Sequence, residues 1–167
     1  MTDAWEILRG IPDPEIPVIS IVDLGIVREV TLRGTSVEVA ITPTYSGCPA
    51  LHAIEEDIAA RLREAGYSEV KVTQQLSPAW TTDWIAAPAR ERLRAYGIAP
   101  PHAVGGTDAH PVAYPVAHPV RLHTRAITCP QCGSHNSERL SEFGSTACKA
   151  LYRCLDCREP FDYFKPL

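Results

Sequence analysis

"SVEVAITPTYSGCPALHAIEEDIAARLREAG", residues 36–66, changes its hydrophobic period midway, and that change decides the fold. Val37, Val39 and Ile41 alternate with polar neighbours, as in a strand with one buried face. From Leu51 the apolar residues recur at helical spacing: Leu51, Ile54, Ile58, Leu62 and Ala65. Gly66 falls where a C′ glycine ends a helix. Pro49 suits the first helical position, because its missing N–H has no partner there. On this reading Cys48 is the N-cap, a lone cysteine between Gly47 and Pro49.

Upstream, "IVREVTL" (26–32) is β-branched and alternating, and "RGT" separates it from the quoted strand, so the two predict a β-hairpin with Gly34 at positive φ. Before it, "IPDPEIP" (11–17) carries three prolines, which forbid a helix and force an extended loop. The N-terminal stretch predicts a short amphipathic helix whose apolar residues include Trp5 and Leu8, capped by Thr2 or Asp3. Downstream, "EVKVTQQL" (69–76) predicts a third strand, and a helix is expected from about Pro88 to Tyr96, stopping at Gly97. The order helix, hairpin, helix, strand, helix implies a small two-layer α/β (α+β) domain over residues 1–98. Residues 99–126, with "AHPVAYPVAHPV", repeat in fours and read as a polyproline-type spacer. Its histidines (His102, His110, His118, His123) have no i,i+4 pair, so a metal tract is the weaker reading.

Residues 127–167 hold "CPQC" (129–132) and "CLDC" (154–157), a C-x2-C-x21-C-x2-C pattern. Cys129, Cys132, Cys154 and Cys157 can complete a tetrahedral Zn²⁺ site with no open position, a structural zinc ribbon. A redox pair or a rubredoxin-type iron centre is the alternative. Cys148 stands outside both knuckles and reads as a small buried residue. The three aromatics of "PFDYF" complete the ribbon's core or dock on a partner.

Hydrophobic residues at 45% and charged residues at 22% are globular values. A net charge of −4, and a ribbon with seven Lys/Arg against five Asp/Glu from Arg121 onward, give no electrostatic reason for nucleic-acid binding. No apolar run approaches the ~20 residues of a membrane span, and no signal peptide is read, so a reducing cytoplasm is expected.

As an N-cap, Cys48 would sit beside unpaired N–H groups at the positive end of a helix, which favours thiolate over thiol. Asp13, Glu15 and Asp23 lie in loops that feed the hairpin from one side, and Thr42, Thr44 and Ser46 add hydroxyls. The other reading makes these acids turn residues and Cys48 a half-buried cap. His52 lies one turn after Cys48, but no oxyanion loop or orienting partner accompanies it, and there is no P-loop, GxGxxG or HExxH.

"DPEIPVISIVDLGIV" together with "TPTYSGCPA" resembles the SufT-like domain of iron–sulfur cluster assembly factors. "FGSTACKALYRCLDCREPFDYFKPL" resembles the C-terminal ribbon of PaaD-like proteins, the D component of the multicomponent phenylacetyl-CoA epoxidase system. The resemblance covers nearly the whole chain. Its prominent positions fall on Asp13, Pro14, Glu15, Asp23, Gly25, Thr42 and Cys48. It implies an accessory role in phenylacetate breakdown: assisting a metal centre of the epoxidase reductase or oxygenase subunits, with Cys48 as a transient iron or cluster ligand or as a partner contact. Clusters take about four ligands, so a homodimer, a partner protein or small thiols would supply the others. The competing readings are a structural or regulatory component of the complex and, last, a CxxC redox enzyme.

Overall fold

The computed structural model describes residues 3–45, 47–102 and 126–166. Helix α1 (Ala4–Arg9) begins on Asp3, whose carboxylate accepts from the Trp5 N–H at 3.3 Å, and it buries Ala4 and Leu8. The alternative cap, Thr2, lies outside the described residues. Strands β1 (Val27–Arg33) and β2 (Ser36–Ile41) form the antiparallel hairpin, with Gly34 at φ 63° in its turn. Helix α2 (Ala50–Glu64) buries Ile54, Ile58 and Leu62. Strand β3 (Glu69–Gln74) then lies parallel to β2. Parallel neighbours need a crossover connection, and α2 is that connection. After one 3-10 turn (Thr82–Trp84), helix α3 (Ala87–Ala95) carries proline in its first turn.

Among the described residues the first sheet has the order β1-β2-β3. Val37, Val39 and Ile41 on one face of β2 share a core with Leu8, Ile54, Ile58, Leu62 and Leu93 of the helices. This is the two-layer α+β architecture that the change of period predicts. No described helix is long and apolar enough to cross a membrane.

Strands β5 (Ser137–Ser141), β6 (Lys149–Cys154) and β7 (Pro160–Phe164) form the ribbon. A short strand, β4 (Ile98–Ala99), pairs parallel with β7 and gives a second sheet of order β4-β7-β6-β5. Gly97, at φ 93°, ends α3 and turns the chain into that edge. The ribbon therefore packs against the first unit along a seam. Phe164 (0% exposed) and Cys148 (4%) belong to the first unit's core, and the Phe164 ring lies 6.1 Å from that of Trp80. Phe161 and Tyr163 instead join Ile127 and Tyr152 in the ribbon's own small core. The expected linker is described only at its ends, so its polyproline reading and His110, His118 and His123 lie outside the described residues. His102 packs its ring 5.6 Å from that of Tyr163.

Gly25 shows how tightly the first unit is closed around its loops. Its φ is +77°, and a Cβ there would stand 2.7 Å from the Trp84 Cβ and 2.9 Å from the Trp84 carbonyl oxygen. Gly25→Ala therefore meets a left-handed backbone and a hard contact together. We expect it to destabilise the fold by about 2–3 kcal/mol, read as a lowered urea midpoint. A midpoint within error of the parent's would refute the close approach.

Candidate functional site

The four ribbon cysteines meet at one point, with all four sulfurs within 4.8 Å of one another. The Cys129–Cys157 and Cys132–Cys154 sulfur separations are 3.8 and 3.6 Å. Four Zn–S bonds of ~2.3 Å in a tetrahedron place sulfurs ~3.8 Å apart, so the donor set fits zinc. Each knuckle is shaped by its backbone. The Gly133 N–H donates to the Cys129 carbonyl at 2.9 Å, and the Cys154 N–H donates to the Glu159 carbonyl at 3.0 Å. Asp156 ties the knuckles together, accepting from Asn136 Nδ2 at 2.8 Å and from the Ser134 hydroxyl. The Cys157 N–H aimed at the Cys154 sulfur draws that thiol down to about 7. Cys129, Cys132, Cys154 and Cys157 would hold a structural Zn²⁺, as the match to a zinc ribbon domain supports. Four protein ligands would leave no coordination position for substrate, the arrangement of a structural site.

The lone cysteine differs from expectation in two ways. Helix α2 starts at Ala50 with Pro49 as its cap (φ −67°, ψ −24°), so Cys48 stands one residue outside the N-cap. A proline whose own ψ is already helical can take the cap position. The Cys48 sulfur still accepts from the Ala50 N–H, but burial outweighs that bond and pushes the thiol up. The resting group is thus a thiol, not the expected thiolate: desolvation penalises the charged form more than the helix end favours it. Tyr45 hydrogen-bonds to the Cys48 side chain; burial first, then the neighbouring Cys48, push its phenol up to about 12.

Asp13, Glu15, Thr44 and Cys48 border one cavity. Asp13 is 5% exposed, and its Oδ1 accepts from the Glu15 and Ile16 N–H groups at 2.9 and 2.8 Å. Burial nevertheless pushes its carboxyl up, against those two bonds and the charge of Lys149. Glu15 is also pushed up, by burial and then by Asp13. The remaining wall is largely apolar, including Ile16, Leu24 and Ile54.

Asp23 does not border this cavity. Its Oδ2 accepts from the Ser20 hydroxyl at 2.9 Å and from Arg92 at 2.5 Å, so it closes a turn and anchors α3. Thr42 is 1% exposed, and its hydroxyl has no partner among the described residues. Its neighbour Pro43, not Thr42, lines the cavity. His52 is turned to solvent beside Glu55 (3.9 Å) and Glu56 (3.4 Å), so it does not serve Cys48 as a base. Ser46 lies outside the described residues. Sequence reading missed the last wall of the cavity: Cys148, brought in by the ribbon. Its only local signal was being a fifth cysteine in a four-cysteine ribbon.

The two units together define a class: an α+β domain with a thiol on the loop before its crossover helix, sealed by a tetrathiolate ribbon. Residues 2–73 match the family described as iron–sulfur cluster assembly protein, and residues 114–165 match the PaaD zinc beta ribbon domain. An Escherichia coli (strain K12) protein, provisionally named as the D component of 1,2-phenylacetyl-CoA epoxidase, is 50% identical over 163 residues, covering 98% of this chain and 91% of its own. A Porphyromonas gingivalis (strain ATCC BAA-308 / W83) protein named Fe-S protein maturation auxiliary factor is 34% identical over 93 residues, 54% of this chain and 88% of its own. A crystal structure of a DUF59 domain of unknown function from Bacillus anthracis superposes with a TM-score of 0.51 at 27% identity, covering 54% of this chain and 87% of its own. The chain belongs to the PaaD family, in which an iron–sulfur cluster assembly domain carries a zinc ribbon.

Proposed function

We propose that this protein is an accessory maturation factor for a phenylacetyl-CoA epoxidase, assisting iron–sulfur cluster or iron-centre assembly in a partner subunit of the cytoplasmic complex. One observation carries this reading. Cys48 is a half-buried thiol in a cavity with Asp13 and Glu15, on a domain of the iron–sulfur assembly family, with His52 turned away from it to solvent. Such a thiol can take an iron ion or the edge of a cluster from one protein and release it to another. The division of the chain into residues 1–98, 99–126 and 127–167 then assigns that work to the first unit and docking to the ribbon. The clients are the reductase, with its [2Fe–2S] cluster, or the diiron oxygenase subunit, and a homodimer would be one way to complete a cluster's ligands.

Cys48→Ser, co-expressed with the epoxidase reductase in place of the parent protein, should lower the reductase's cluster content by about tenfold or more, the scale of losing a metal-site group. The measurement is iron and acid-labile sulfide per reductase chain. Unchanged occupancy would reject the thiol's role.

A second reading, a structural or regulatory component of the epoxidase, is favoured by Leu140 and Phe143, which leave 48% and 63% of their surface open on the ribbon. It requires a stable stoichiometric complex with the oxygenase subunits on size exclusion. Transient association alone would leave the maturation role in place.

A further inference from the structure

Glu15 borders two cavities at once. One is the small space beside Cys48; the other is an open cleft of about 540 Å³ along the seam between the two units. That volume is in the range of natural binding sites, which concentrate where two units meet. The turn from α3 into β4 supplies Tyr96 and Ile98 to the cleft, and the ribbon supplies Lys149, Leu151 and Asp162. The charges inside it do not balance. Lys149 is 4% exposed and its ammonium pairs with Asp162 at 3.5 Å, so that cation is engaged within the ribbon. The half-buried Glu15 carboxylate makes no hydrogen bond or ion pair among the described residues; its backbone N–H alone is engaged, donating to Asp13 at 2.9 Å. Burial and then Asp13 push its carboxyl upward, and the charge of Lys149 offsets only part of this. A carboxylate removed from water without a donor costs the fold free energy, and a cation brought from outside relieves that cost.

We propose that the seam cleft is the docking site for a client subunit of the epoxidase, and that it takes a lysine or arginine side chain of that subunit with Glu15 as the carboxylate partner. This rests on the maturation reading and names the surface through which the client would be held. The shape of the cleft suits such a side chain. Ile98 and Leu151 give it an apolar wall, and Tyr96 leaves 54% of its surface open. Long cationic side chains lay their methylene stems along apolar surface while the charged head reaches a partner, and an open tyrosine ring adds a face that attracts a cation. Position argues for a protein as the source of the cation. Glu15 is shared with the Cys48 cavity, so a chain anchored on it sits beside the thiol and brings its own metal-binding residues there. The ribbon then does more than cover the first unit: it forms half of the surface that receives the client.

Calorimetric titration of the full-length, zinc-loaded protein tests this, with the purified epoxidase reductase and the purified oxygenase subunits as the two probes. At least one probe should bind, and its affinity should fall as salt rises, because the contact joins opposite charges. Glu15→Gln should weaken binding by about tenfold or more and flatten the salt dependence. Tyr96→Ala should weaken it by about two- to fivefold. Leu140→Ser, on the other open patch of the ribbon, should stay within about twofold of the parent. Zinc content and far-UV dichroism control for folding. Should Tyr96→Ala fail to fold, Glu15→Gln decides alone, since its carboxylate has no partner to lose. Binding of neither probe overturns the proposal. So does an affinity of Glu15→Gln within about twofold of the parent's, or a loss in Leu140→Ser equal to that in Glu15→Gln. These failures are separate from that of the proposed function. Full affinity in Glu15→Gln, combined with loss of client clusters in Cys48→Ser, removes only the docking cleft. Binding that depends on Glu15, combined with intact client clusters in Cys48→Ser, removes only the maturation role.

Discussion

Cys154→Ser is expected to strip the ribbon of its zinc and unfold β5, β6 and β7 while the first unit stays folded. Cys154 is fully buried at the end of β6, with its sulfur 3.6 Å from that of Cys132. A serine there removes one of four ligands from a closed tetrahedral site and leaves a hydroxyl among thiolates. The ribbon has little else to hold it. Its own core consists of a few side chains around Tyr152, Phe161 and Tyr163, whereas structural zinc supplies about 10–16 kcal/mol of apparent binding free energy. Zinc per chain should fall from one to near zero, and amide protection along β6 should vanish. The first unit keeps its helices because most of its core, Leu8, Ile41, Ile54, Ile58 and Leu62 among them, comes from its own elements; it loses the ribbon's Phe164 and Cys148 and is destabilised without unfolding. Stripping zinc from the parent protein with a chelator should give the same pattern. Retained zinc, or retained protection of β6 without it, would show that apolar packing holds the ribbon and that the metal is incidental.

Those parts of the molecule that depend on neighbouring residues in the chain could be read in advance. The hairpin follows from two alternating runs around Gly34, α2 from its apolar spacing, and the zinc site from two CxxC pairs that each form a knuckle unaided. What could not be read depends on distant residues. The two-residue β4 has no periodicity and becomes a strand only because the edge of β7 lies beside it. Asp23 looks like one more acid near Cys48 until Arg92, 69 positions away, pairs with it. The protonation of Cys48 reversed for the same reason: the helix end that favours the thiolate is local, but the desolvation that outweighs it comes from the whole cavity. Part of that cavity wall, Phe164 and Cys148, belongs to the ribbon. PFDYF, read as either core or docking segment, divides between both roles: Phe161 and Tyr163 face the ribbon's core, and Phe164 faces the first unit's.

Phe164→Ala is the substitution that separates docking of the ribbon from its folding. The Phe164 ring is fully buried, packs 6.1 Å from Trp80, and forms part of the cavity wall with both Cys48 and Cys148. Lys149, next to Cys148, pairs with Phe164 across the sheet, and the Lys165 N–H donates to the Cys148 carbonyl at 2.9 Å. Emptying that position removes a large apolar group from a close-packed seam, at a cost of about 3–5 kcal/mol, a large share of the ~5–15 kcal/mol that holds a typical domain. The zinc site lies at the other end of β6 and should keep one zinc per chain. The seam should loosen, so Trp80 becomes more solvated and Cys48 alkylates several-fold faster as its desolvation weakens. Phe161→Ala, an equal truncation inside the ribbon's own core, is the matched control: it should destabilise the ribbon and leave Cys48 reactivity within about twofold of the parent's, since Phe161 does not touch the cavity. Equal acceleration of Cys48 in both variants would mean that the cavity senses the ribbon's folding in general and not the contact at Phe164. No acceleration in either would mean that the first unit buries the Cys48 thiol without help from the ribbon.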